Sequence, residues 1–115
     1  MHVGPEVPKV HEEVGLKEAI VEMTKKTLGL TTVVDSGGKL VGCITDGDLR
    51  RIIQRVPNIF ECKVKEVMST NPKTISKDVF LSDALDMMEK FKITNIIITN
   101  GNDEPFGIIH IHDIV

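Results

Sequence analysis

The chain has 115 residues, 41% hydrophobic and 27% charged, the make-up of an ordinary globular domain with room for one core. A formal net charge of −3, four Phe and no Trp or Tyr exclude a stacking platform for single strands and argue against a nucleic-acid partner. No apolar run approaches the roughly 18 residues of a membrane span, and Met1-His2-Val3-Gly4-Pro5 is no signal peptide, so no membrane partner is expected. The two cysteines, Cys43 and Cys62, make no disulfide framework and read as free thiols of a reducing cytoplasm.

In chain order, Met1 to Glu13 reads as an extended lead-in, with Pro5 and Pro8 disfavouring helix and Val10 placed to add a strand. Leu16, Ala19, Ile20 and Met23 follow the i, i+3, i+4, i+7 rule, which predicts an amphipathic helix from Leu16 to about Thr27, stopped at Gly29. Leu30 to Val34 is a β-branched strand, and Ser36-Gly37-Gly38-Lys39 turns the chain into a second strand, Leu40 to Thr45. A helix from about Asp48 to Arg55 ends before Pro57. Residues 56 to 70 read as a linker holding one short amphipathic piece, Val64 to Met68. Extended structure resumes through Pro72, and Leu81 to Phe91 is the second amphipathic helix. The strand Asn95 to Thr99, the turn Asn100-Gly101-Asn102-Asp103 and the strand Phe106 to Ile111 complete the chain.

The stretch Gly42-Cys43-Ile44-Thr45-Asp46-Gly47-Asp48-Leu49-Arg50-Arg51 carries the chemistry. A strand running into a helix start leaves unpaired N–H groups and a positive dipole end, an anion-binding arrangement. Thr45 adds a hydroxyl there. Asp48, one turn on, is placed to accept two hydrogen bonds from a ribose diol, as acids do in other strand-to-helix phosphate sites. The plainer reading is that Thr45 and Asp48 cap the helix.

The end of the chain repeats this pattern. In Gly107-Ile108-Ile109-His110-Ile111-His112-Asp113, His110 corresponds to Thr45 and Asp113 to Asp48, both 65 positions later. Leu16, Ala19, Ile20 and Met23 return as Leu81, Ala84, Leu85 and Met88 at the same offset. Pro8-Lys9 returns as Pro72-Lys73 at 64, so one residue is inserted before the second helix. Two half-domains sharing one core follow from a period of this length. The halves are 1–55 and 71–115, joined by 56–70. The second half lacks its closing helix, which suggests a fragment of a longer polypeptide.

Each half thus reads β-α-β-β-α in an α/β (α+β) fold, with Gly-apolar-x-Thr-x-x-Asp, or its His110 variant, at its close. This resembles the tandem CBS-domain pair, two halves related by a pseudo-twofold axis, a module that binds adenosyl and other nucleotides. Four stretches in register are similar to the C-terminal CBS region of the arabinose 5-phosphate isomerases of the Kdo (3-deoxy-octulosonate) pathway: Glu22 to Thr31, Thr45 to Arg51, Met88 to Thr94 and His110 to Asp113. The resemblance implies a regulatory nucleotide module, covalently linked in its parent to a sugar isomerase domain. That parent interconverts ribulose 5-phosphate and arabinose 5-phosphate for lipopolysaccharide synthesis in the cytoplasm. Catalytic groups are expected in the missing domain and none here. By the same resemblance the nucleotide contacts fall on Gly29, Leu30, Thr31, Thr45 and Asp48 in the first half, and on Thr94, Asn95, His110 and Asp113 in the second. His110 departs from the family's usual Ser or Thr. No cofactor is required; the regulatory nucleotide is an adenine nucleotide or a cytidine nucleotide-sugar, and a homo-oligomer formed through the pair is expected.

Two alternatives are weighed against this. His110, His112 and Asp113 have the types of a divalent-metal site but lack a fourth partner, so no metal is assigned. A purely structural, oligomerising module with no physiological ligand is the second.

Overall fold

The computed structural model describes residues 2–78 and 81–113, arranged as two compact units. The first unit is Pro8–Pro72, and the second combines Met1–Val7 with Lys73–Val115. The closing helix expected after Asp113 lies outside the described residues, as does any pairing that rests on the His112 side chain.

In the first unit, β2 (Lys9–His11) runs parallel to β3 (Leu30–Val34), which runs antiparallel to β4 (Leu40–Thr45), in the sheet order β2-β3-β4. The helix α1 (Leu16–Lys26) lies between β2 and β3 in the chain and buries Leu16, Ala19 and Met23 of the expected stripe, with Ile20 partly buried against the core. With Val33, Ile44, Ile52 and Val64 these residues form the core. Polar Thr32 is tolerated there at 0% exposure because its hydroxyl and its N–H both donate to the Pro8 carbonyl, at 2.7 and 3.1 Å.

The expected linker 56–70 is instead part of this unit. Its helix α3 (Val64–Val67) places Val64 in the core at 0% exposure, with Ile59, Cys62, Val67 and Met68 packed against it. Backbone bonds fix it: Leu16 N–H donates to the Cys62 carbonyl and Val64 N–H to the Val14 carbonyl, both at 2.9 Å. The Glu13 carboxylate also meets the ammonium groups of Lys63 and Lys65 at 3.3 and 2.7 Å. Ser69 then exchanges both backbone bonds with Cys43, closing the outer edge of β4. A Cβ on Gly42 would lie 2.6 Å from the Ser69 carbonyl oxygen, so only glycine admits this approach.

The second unit has the sheet order β1-β7-β6-β5. Here β5 (Thr74–Ser76) is parallel to β6 (Asn95–Thr99), and β6 is antiparallel to β7 (Pro105–His110). The helix α4 (Leu81–Phe91) buries Ala84 and Met88 against Ile75, Ile96, Ile98 and Ile109. The outer edge of β7 is closed by β1 (His2–Val3), which pairs His2 with Ile108 and Val3 with Gly107. The lead-in segment thus completes the sheet of the unit furthest from it in sequence.

The 65-residue repeat reaches into backbone detail. Thr27 and Lys92 both take left-handed backbone (φ 57° and 54°) at the ends of α1 and α4. The strand registers slip at Val33/Val34 and again at Ile98/Thr99. In the turns that follow, Asp35 Oδ1 accepts from Gly37 and Lys39 N–H, and Asn100 Oδ1 accepts from Asn102 and Glu104 N–H.

Candidate functional site

The helix α2 (Asp46–Arg55) begins two residues earlier than expected, because Thr45 is its N-cap. The Thr45 hydroxyl accepts from Asp48 N–H at 3.1 Å, and Asp48 Oδ2 accepts from Thr45 N–H at 3.0 Å. This reciprocal capping box satisfies two backbone donors at the strand-to-helix turn. Asp48 Oδ1 meets Arg51 Nη2 at 2.6 Å, one helical turn on. Both carboxylate oxygens are therefore engaged within the fold, and a diol reaching Oδ1 competes with an Arg51 side chain that is 65% exposed. Arg50 and Arg55 are solvated.

Sheet register brings the other candidate residues to this turn. Leu30 pairs with Thr45 and Thr31 with Ile44, while Asp46 N–H donates to the Gly29 carbonyl at 3.0 Å. Gly29 has φ +77°, and a Cβ there would sit 3.3 Å from Asp46 Oδ2. Gly29, Leu30, Thr45 and Asp48 are thus grouped. Thr31, fully buried, turns its hydroxyl to the Thr32 carbonyl.

The second unit repeats the arrangement on different side chains. Asn95 pairs with His110, and Ile111 N–H donates to the Thr94 carbonyl at 2.7 Å, the counterpart of the Asp46–Gly29 bond. Asp113 Oδ2 accepts from His110 N–H at 2.8 Å, as Asp48 does from Thr45. That bond is the main cause holding the Asp113 carboxyl below its ordinary pKa. Near Asp113 Oδ1 lies His2 Nε2, at 3.8 Å, carried in by β1. Sequence reading missed His2 at this turn, since a two-residue strand has no periodicity to read.

Among the described residues no group of three or more His, Cys, Asp and Glu is arranged to hold a metal. No helix there is long and apolar enough to cross a membrane. Cys43 and Cys62 are free thiols. Burial, helped by the Asp48 charge, pushes Cys43 up to about 11, so it stays protonated and unreactive at neutral pH. A groove of about 660 Å³ between β2 and α1 in the first unit contains none of the candidate residues. Its Lys9, Lys17 and Lys25 are exposed, and its Glu22 is held by Lys9 N–H and Lys26, so no buried polar group is aimed into it.

Comparison with known proteins agrees with this geometry. The CBS domain model matches twice, over residues 3–55 and 64–115. The arabinose 5-phosphate isomerase KdsD of Pseudomonas aeruginosa is 38% identical over all 115 residues. The chain spans only about a third of the length of such curated relatives, 35% in that case. Among solved structures, the CBS domain pair of protein MJ0100, in complex with 5′-methylthioadenosine and S-adenosyl-L-methionine, superposes with a TM-score of 0.84 at 23% identity, over 97% of this chain and 91% of that one. A CBS domain protein of Pyrobaculum aerophilum complexed with AMP gives 0.83 at 18% identity, over 93% and 82%. The twice-matched domain model places this chain in the CBS domain family, in keeping with two turns that share the bonds from Thr45 and His110 N–H to Asp48 and Asp113 and from Asp46 and Ile111 N–H to the Gly29 and Thr94 carbonyls.

Proposed function

We propose that this chain is the regulatory, nucleotide-binding CBS region of a longer, cytoplasmic protein resembling arabinose 5-phosphate isomerase. The observation that carries the reading is the strand-to-helix turn, built at Thr45–Asp48 and again at His110–Asp113 with the same backbone bonds. Such a turn suits an anion beside a vicinal diol. Similarity to KdsD along the whole chain supports the parent, and the adenosine-bearing ligands of two structural neighbours support the ligand class. The parent's isomerisation of ribulose 5-phosphate and arabinose 5-phosphate belongs to the sugar isomerase domain that the resemblance implies. Gly29, Leu30, Thr31, Thr45 and Asp48 form one nucleotide contact set, and Thr94, Asn95, His110 and Asp113 the other. The ligand is an adenine nucleotide or a cytidine nucleotide-sugar.

Thermal melts against AMP, S-adenosylmethionine and a cytidine nucleotide-sugar test this. A specific ligand at 100 times its Kd adds about 2.7 kcal/mol of stability. No shift with any of them overturns the reading. Exposed Val21, Ile53 and Phe60 in the first unit favour a second role, homo-oligomerisation. Light scattering that gives a monomer of 12.7 kDa at every concentration removes it for this chain.

A further inference from the structure

The two turns differ in where the carboxylate finds its second partner. In the first unit Arg51 of α2 itself meets Asp48 Oδ1, a contact of spacing i,i+3 that moves with the helix. In the second unit the equivalent oxygen of Asp113 faces His2, which belongs to the strap of residues 2–7. The strap is also held by two residues of strand pairing on β7, a 3-10 turn (Gly4–Glu6) against β7, and the buried side chain of Val7.

From this we infer that the N-terminal strap is coupled to the His110–Asp113 turn through the shared Asp113 carboxylate. A ligand hydroxyl that takes Asp113 Oδ1 competes with His2 and loosens the strap. The ligand part of this inference rests on the nucleotide reading above; the strap–turn contact does not. Whatever precedes residue 2 in a longer chain joins the module through this strap, so the device converts occupancy of the turn into freedom of the preceding segment. Reciprocity fixes the converse: loosening the strap favours the ligand by the same factor. The contact is partly exposed, 33% at His2 and 25% at Asp113, so the coupling is modest, about two- to threefold.

Hydrogen exchange of residues 2–7, read by mass spectrometry, tests the contact without a ligand. Asp113→Ala should raise exchange there about two- to threefold, whereas Asp48→Ala should leave it unchanged. With AMP as the probe, saturation should raise exchange at 2–7 in the wild type. His2→Ala should already show the raised rate, respond no further, and bind AMP about twofold more tightly by calorimetry. Indifference of residues 2–7 to Asp113→Ala overturns the coupling. So does AMP that binds by calorimetry and leaves exchange at 2–7 unchanged. If AMP, S-adenosylmethionine and a cytidine nucleotide-sugar all fail to bind while Asp113→Ala still loosens the strap, the nucleotide reading falls and the contact stands.

Discussion

The turns at Thr45–Asp48 and His110–Asp113 are one backbone design carrying two chemistries. Each joins an antiparallel strand pair to a helical turn, and each uses an Asp three residues on to accept the N-cap N–H. At the first, Thr45 adds a hydroxyl cap, Gly29 leaves the space beside Asp46 without a side chain, and Arg51 supplies a permanent charge. At the second, an imidazole stands in place of the hydroxyl and Thr94 in place of glycine. His2 replaces the arginine, arriving from the far end of the chain. Duplication preserves backbone geometry because every strand and turn depends on it, whereas side chains at a solvent-facing turn are free to diverge. The two turns therefore differ in chemistry even though their frames match, and on the nucleotide reading proposed above they would bind unequally.

Val64→Ala probes the largest difference, the completion of the first unit by α3. Loss of a fully buried valine side chain should cost about 2 kcal/mol in denaturant melts. A cost near zero would return residues 56–70 to the status of a tether. Next comes the ligand role of the two carboxylates. Asp48→Asn keeps an acceptor for Thr45 N–H but loses the charge, so calorimetric affinity for the nucleotide should drop at least about tenfold. Asp113→Asn should do less, and equal losses would mean that the divergence at His110 is silent.

A smaller effect separates the caps themselves. Thr45→Ala removes a hydroxyl that caps α2 and should cost about 1 kcal/mol of stability. His110→Ala should cost at most about 0.5 kcal/mol by the same melt, being a partly exposed residue. The smallest effect is acid sensitivity. The folded Asp113 carboxyl lies below its unfolded value, so its contribution is complete above that value and is lost as pH falls through the folded one. Between pH 5 and pH 3 the wild type should lose slightly more stability than Asp113→Asn, since ordinary Asp titrates near 3.9. An identical pH profile for the two proteins would show that the His110 bond does not bias the carboxyl.

Much of this was legible in the residues. The bounds of β3, β4, β6 and α4 follow from β-branched runs, turn dipeptides and the helical stripe, and those signals are local. The offset of 65 matched Thr45 with His110, and the registers are consistent with it: Asn95 pairs with His110 as Leu30 pairs with Thr45. Three features were not legible. Residues 62–69 carry too short an apolar pattern to betray that Val64 is core and that Ser69 closes a sheet edge. His2 and Val3 gain strand structure only from β7, more than a hundred positions away. Finally, Asp48 reads alike as cap or ligand from spacing alone, whereas in the folded chain Arg51 occupies its second oxygen.

The pairing of β1 with β7 also sets an order of assembly. During synthesis residues 2–7 leave the ribosome roughly a hundred residues ahead of their sheet partner, Pro105–His110. The unit Pro8–Pro72 has all its own strands and can close early. The second sheet must wait for Pro105–His110 and then close a long loop back to residues 2–3, the kind of non-local step that slows folding. Refolding should therefore show a faster phase for the first unit and a slower one for strap docking. In the interval the outer edge of β7 stands open to a strand from a neighbouring molecule.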